Sequence, residues 1–188
     1  RARLKLLDLL ERRAGGETAL VVFSANAFVV TPLTNDVRAI SMLVSALGTD
    51  IMPSRGSLLE VGLAKSAELL EGSAVGGGEI LLMTDATASP AAIDLAGQLR
   101  DDGVVTHVLA IGTEEGAPIP NREGGFVTDG RGEVAVAQLN IDNLGTLEGD
   151  SPRRHADRGS EILAGCRVMG SIGFGHVFLF VKSVVRLP

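Results

Sequence analysis

The chain has 188 residues, 45% hydrophobic and 21% charged, which suits one globular domain with a real core, and most of it reads as globular and not disordered. Its formal net charge is -6, and its aromatics are six Phe with no Trp or Tyr. A nucleic-acid partner is excluded on both counts: no basic stripe neutralises phosphates, and no aromatic platform stacks bases. The short basic step Arg153-Arg154 reads as solvated surface.

The single cysteine, Cys166, excludes an internal disulfide and a multi-cysteine metal site, and reads as buried filler. Helical spacing already runs from Arg1 to Arg13, and neither Met nor a signal peptide precedes it. The expectation is a piece of a longer protein.

In that first helix Leu4, Leu7 and Leu10 recur at threes, with Leu6 and Leu9 widening the stripe, and Gly15-Gly16 ends it. Thr18–Phe23 is a continuous apolar run fit for a strand buried on both faces. Ser24-Ala25-Asn26 is a tight turn, and Ala27–Thr31 reads as a second, antiparallel strand stopped by Pro32. Asn35 or Asp36 caps a helix whose face is Val37, Ile40, Val44 and Leu47. After a loop, Thr49–Gly56, Ser57 opens a helix lined by Leu59, Leu63 and Leu70. Gly76-Gly77-Gly78 turns the chain into a buried strand, Glu79–Met83, with Thr84-Asp85 at its C-terminal end.

Ser89-Pro90 is a strong helix start, followed by the buried face Ala92, Leu95, Ala96 and Leu99. Asp101-Asp102-Gly103 closes that helix, and Thr106–Ile111 is the next strand. Phe126–Thr128 and Val134–Ala137 pair around Asp129-Gly130, and Ile141–Leu147 begins another helix. Strands alternating with helices predict an open α/β sheet of Rossmann-like kind, mostly parallel, with one antiparallel edge strand and helices on both faces.

Residues 1–147 are read as that domain, and 148–188 as a tail of different character. Asp150–Ser160 is polar without periodicity. Val168–Val185 is apolar but interrupted by His176 and Lys182, which makes it a marginal membrane candidate against the roughly 20 apolar residues a spanning helix needs; a badly packed or disordered end is the alternative of at least equal weight.

In open α/β sheets, ligands bind outside the carboxyl ends of the strands. Asp85 and Ser57 fall there. A carboxylate and a hydroxyl suit a hard cation such as Mg²⁺, which prefers oxygen ligands. The plainer readings are that Asp85 bonds turn N–H groups and that Ser57 is only a helix cap. His107 lies inside a strand and reads as structural; His155 sits in the polar tail, and His176 has no visible partner. No two of the three histidines have zinc-ligand spacing.

The segments ETALVVFSANAFVVTPLTND (Glu17–Asp36), MPSRGSLLEVGLAKSAELL (Met52–Leu70), EILLMTDATAS (Glu79–Ser89) and THVLAIGTEEGAPIP (Thr106–Pro120) resemble, in order, the von Willebrand factor A (VWA) domain of the bacterial aerotolerance (Bat) type. The resemblance implies a metal-ion-dependent adhesion site above the sheet. Ser57 stands where the family has a Thr hydroxyl, and Asp85 stands at the family's third-loop Asp. Ala86 follows it where the family usually has Gly. The family's Asp-x-Ser-x-Ser loop would lie before Arg1. The resemblance therefore implies weak or no binding of Mg²⁺ (or Mn²⁺ or Ca²⁺) by this stretch. The family's first strand lies in the middle of the sheet, so its absence would expose apolar edges.

The leading reading is a binding module, not an enzyme. The resemblance implies a metal-bridged carboxylate from a protein partner, a MoxR-like ATPase as co-worker, and a parent protein attached to a bacterial membrane. Two alternatives stand beside it. A nucleotide-dependent enzyme on a doubly wound fold lacks support: Gly76–Gly78 precede a strand where a dinucleotide fingerprint would follow one, and neither a G-x-x-x-x-G-K-[ST] loop nor a G-x-S-x-G elbow occurs. The third is a non-functional truncated remnant, suggested by the start and the unusual tail.

Overall fold

The computed structural model describes residues 2–12, 16–47, 56–72, 77–111, 116–119, 124–128, 130–148 and 177–183. Helix α1 (Ala2–Arg12) precedes a hairpin of β1 (Glu17–Phe23) and β2 (Ala27–Thr34). Helices α2 (Val37–Ala46) and α3 (Leu59–Glu71) follow, then β3 (Gly78–Thr84), α4 (Pro90–Asp101) and β4 (Val104–Ala110). A small sheet of β5 (Ala117–Pro118) and β6 (Val136–Ala137), the short helix α5 (Ile141–Gly145) and β7 (Val177–Ser183) complete the described chain.

The main sheet runs β2-β1-β7-β3-β4. β3 and β4 are parallel, and β2 is the antiparallel edge expected from the short turn. β7 pairs antiparallel with both β1 and β3, so β1, β3 and β4 all point one way. This second reversed strand is absent from the sequence reading, as is its place in the sheet. Residues 177–183, beyond the boundary drawn at residue 147, lie between β1 and β3 in this sheet. The middle slot, expected to be open, is filled: Glu17–Phe23 pairs along its whole length with Val177–Ser183, and Glu79–Met83 pairs with Phe178–Lys182. The physical reason is in the sequence VFLFVKS. A strand covered on both faces must be apolar at consecutive positions, and that is the same signal as a short piece of a membrane span. Among the described residues no helix is long and apolar enough to cross a membrane. The rest of the Val168–Val185 run lies outside the described residues, as do Cys166, Arg153, Arg154, His155 and His176.

Two cores flank the sheet. On one face Ala19, Val21, Phe23, Ile80 and Leu82 meet Leu59, Leu63 and Leu70 of α3, Ala92, Ala96 and Leu99 of α4, and Leu144 of α5. On the other, Leu20, Val22 and Met83 meet Leu6 and Leu10 of α1 with Ile40 and Val44 of α2. Each fully buried Leu or Ile contributes about 1.5–3 kcal/mol relative to leaving it in water. The stripe of α1 is rotated from the expected one: Leu6 and Leu10 are buried, whereas Leu4 is 70% exposed. Residues four apart stack on one face of a helix, and only one such pair reaches the sheet.

Local signals are realised at the helix starts. The Asp36 carboxylate accepts from the Arg38 and Ala39 N–H groups, and the Ser89 hydroxyl accepts from the Ala92 N–H. Pro32 does not stop β2, which continues to Thr34. An edge strand has one side with no ladder to break, so a missing N–H there is tolerated. At the opposite edge, the Val108 N–H of β4 donates to the Glu148 carboxylate at 2.8 Å. The expected pairing of 126–128 with 134–137 is present as a Thr128–Val134 bridge and an Ala135 N–H to Val127 carbonyl bond.

Candidate functional site

β1 and β3 run in the same direction, so their carboxyl ends share one rim of the sheet. Phe23 closes β1 opposite Val177, and Met83 of β3 lies opposite Phe178, so the amino end of β7 is at this rim too. Ser57 reaches the rim beside β1, because the Leu58 N–H donates to the Ser24 carbonyl at 2.9 Å. Asp85 follows the last residue of β3 directly. Both are partly exposed. They belong to the same rim, with β7 between their strands, a separation of about 10 Å at the strand level for two sheet spacings.

The backbone that presents Ser57 depends on two glycines. Gly56 has φ +134, and a Cβ there would stand 3.3 Å from the Ala25 Cβ and N. That combination of handedness and closeness fits glycine alone. Gly62 faces the Phe23 ring, where a Cβ would fall 2.7 Å from a ring carbon. The missing side chain lets α3 lie flat on the end of β1. Ser57 is not the helix cap proposed for it: the cap position is Leu58, and no side chain caps α3.

The loop after β3 is held from three sides. The Thr84 hydroxyl accepts from the Ala86 N–H at 2.9 Å. Asn143 of α5 grips Ala88 twice, accepting its N–H at 2.6 Å and donating to its carbonyl at 3.2 Å. The Ser89 hydroxyl donates to the Glu60 carboxylate at 3.0 Å, joining the start of α4 to the first turn of α3. Ala86 packs against the core, so its methyl group has a place there. Asp85 is itself engaged within the fold.

As a cation site this rim is sparse. Ser57 and Asp85 provide one hydroxyl and one carboxylate, and Glu60, in the first turn of α3, is already bonded to Ser89. Among the described residues no group of three or more His, Cys, Asp or Glu is placed to hold a metal ion. A single octahedral Mg²⁺ bound by both would need the Ser57 hydroxyl and an Asp85 carboxylate oxygen within about 4 Å of each other, with water filling the rest of its shell. His107 stands in β4, half-buried, in the register position beside Leu81.

Sequence reasoning missed Asn143, Glu60 and Glu148. Asn143 lies 55 residues from the loop it clamps, and Glu148 lies 40 from the strand it caps. Nothing in local spacing marks either. Glu60 was visible only as an acid in the first turn of a helix, where its charge suits the helix dipole.

No protein-family model and no curated protein matches the chain. Solved structures do. The chain is similar to the conserved hypothetical protein BatB from Bacteroides thetaiotaomicron, at 23% identity, covering 78% of this chain and 73% of that one, with a TM-score of 0.69. It is similar in the same way to an aerotolerance-related membrane protein from Bacteroides fragilis, at 23% identity, covering 78% and 74%, with a TM-score of 0.71. At this identity the likeness is one of fold. The fold, a mixed α/β sheet with helices around it, is shared with these two structures.

Proposed function

We propose that the chain is a protein-binding module of the bacterial Bat kind, with Ser57 and Asp85 as the surviving ligands of a partial metal-ion-dependent adhesion site, and that it is not an enzyme. What supports this reading is that Ser57 lies beside the carboxyl end of β1 and Asp85 follows that of β3, on the one rim where open α/β sheets bind ligands. The cation is Mg²⁺, with Mn²⁺ or Ca²⁺ as substitutes, held weakly because water supplies most of its shell. A partner protein presents a carboxylate to the open coordination position. The membrane-protein description of the Bacteroides fragilis structure supports a membrane-associated parent. A MoxR-like ATPase is the partner class that the Bat resemblance favours.

Mn²⁺ titration followed by NMR tests the site. Amides of Ser24, Ala25, Ser57, Asp85 and Ala86 broaden first, with an affinity no tighter than the weak end of protein Ca²⁺ sites, about 10⁻³ M. Asp85→Ala removes that focus. Broadening spread over surface carboxylates with none at the rim overturns the assignment, and so does micromolar binding that survives Asp85→Ala. A thermal shift with ATP or NAD, and none with Mg²⁺, would favour the enzyme alternative.

A further inference from the structure

β7 is the part of the sheet whose pairings are least local. β1 and β2 form a hairpin, and β3 and β4 are joined through α4 alone. β7 instead pairs Ser183 with Glu17 and Lys182 with Glu79. Long loops close slowly, so this strand is the one for which the rest of the fold must wait. Until it arrives, β1 and β3 each present an unpaired edge of a buried, apolar strand, which is a template for any matching segment. The segment that matches in length, register and direction is 177–183 itself, and every copy of the chain carries it.

Between Glu148 and Val177 lie 28 residues, 149–176. At about 3.3–3.6 Å per residue, a connection of that length reaches a neighbouring molecule as well as its own sheet. We infer that the slot between β1 and β3 is a strand-acceptor site whose occupant can be the 177–183 strand of a second copy, so that the chain forms strand-exchanged dimers. The exchanged ladder repeats the closed one residue for residue, and only the path of the connection differs. Tethering favours the closed form below an effective concentration on the order of millimolar, so exchange grows with concentration during folding.

The test uses the full chain with Cys166→Ser, which removes the one native thiol. Glu17 is exposed and faces Ser183 at the end of the ladder, so Glu17→Cys and Ser183→Cys place two thiols on directly opposed residues. The double variant, refolded dilute and oxidised, gives an intrachain disulfide. The two single variants, unfolded together and refolded as a mixture, give a mixed disulfide dimer whose yield rises with protein concentration. If the double variant closes its disulfide but the mixture yields no cross-linked heterodimer at any concentration, exchange is overturned. If the double variant fails to close, the slot assignment itself falls. Light scattering on the unmodified chain, refolded dilute and concentrated, provides a readout free of cysteines: a dimer after concentrated refolding is expected, and a monomer under both conditions rejects the proposal.

Discussion

Gly62 shows how one absent methyl group positions a rim. In a helix interior, Gly→Ala ordinarily gains about 1 kcal/mol from propensity. Here the added Cβ meets the Phe23 ring at 2.7 Å, and that ring is 1% exposed with no room to move. Overpacking of this kind costs typically about 1–3 kcal/mol, so Gly62→Ala is expected to lower stability despite the propensity gain. Urea unfolding checks the sign. Asn143→Ala is the second test at this scale. It leaves the Ala88 N–H and carbonyl without their partner in a partly buried loop, at a cost of about 1–3 kcal/mol. Hydrogen exchange at Ala88 should accelerate with it. The caps at Asp36 and Ser89 were legible because cap and helix are adjacent in the chain. Asn143 was not, since its partner is brought near only by folding.

At the scale of elements, the two prolines that matter are one present and one absent. Pro32 lies exposed in the edge strand β2. Pro32→Ala is expected to change stability by less than about 0.5 kcal/mol, the usual range for surface substitutions. The same residue placed in β7 is a different matter. Phe180 is paired with Leu20 on one side and Leu81 on the other, so Phe180→Pro removes a ladder donor in the middle of the sheet and is expected to abolish cooperative folding. Circular dichroism of the two variants at equal concentration compares them. A folded Phe180→Pro protein with an unchanged midpoint would show that β7 does not hold the centre. Ser89→Ala, which removes a helix cap and the bond to Glu60, should cost about 1 kcal/mol.

For the whole molecule, β7 joins two halves that otherwise share no ladder: β2 with β1, and β3 with β4. Both cores draw residues from both halves, Leu20 and Val22 with Met83 on one face, Ala19 and Val21 with Ile80 and Leu82 on the other. Unfolding is therefore expected to be a single transition, with the slowest-exchanging amides of β1 and β3 opening at one common free energy. Two separate exchange energies for the halves would contradict the bridging role.

The local content of the chain was determined by sequence alone. A two-residue period, a 3.6-residue period, a cap or a turn is written within ten residues of itself, so the hairpin, the helices, the strands β3 and β4 and the place of Asp85 at the end of β3 could be read directly. The neighbour of an apolar run cannot be read that way. VFLFVKS has the same pattern whether it lies in a lipid bilayer, at a sheet edge or between two strands, because hydrophobic burial has no direction and does not specify its partner. Only the tertiary structure decided that it fills the slot between β1 and β3, since that choice rests on backbone pairing with residues from 95 (Met83 with Phe178) to 166 (Glu17 with Ser183) positions away.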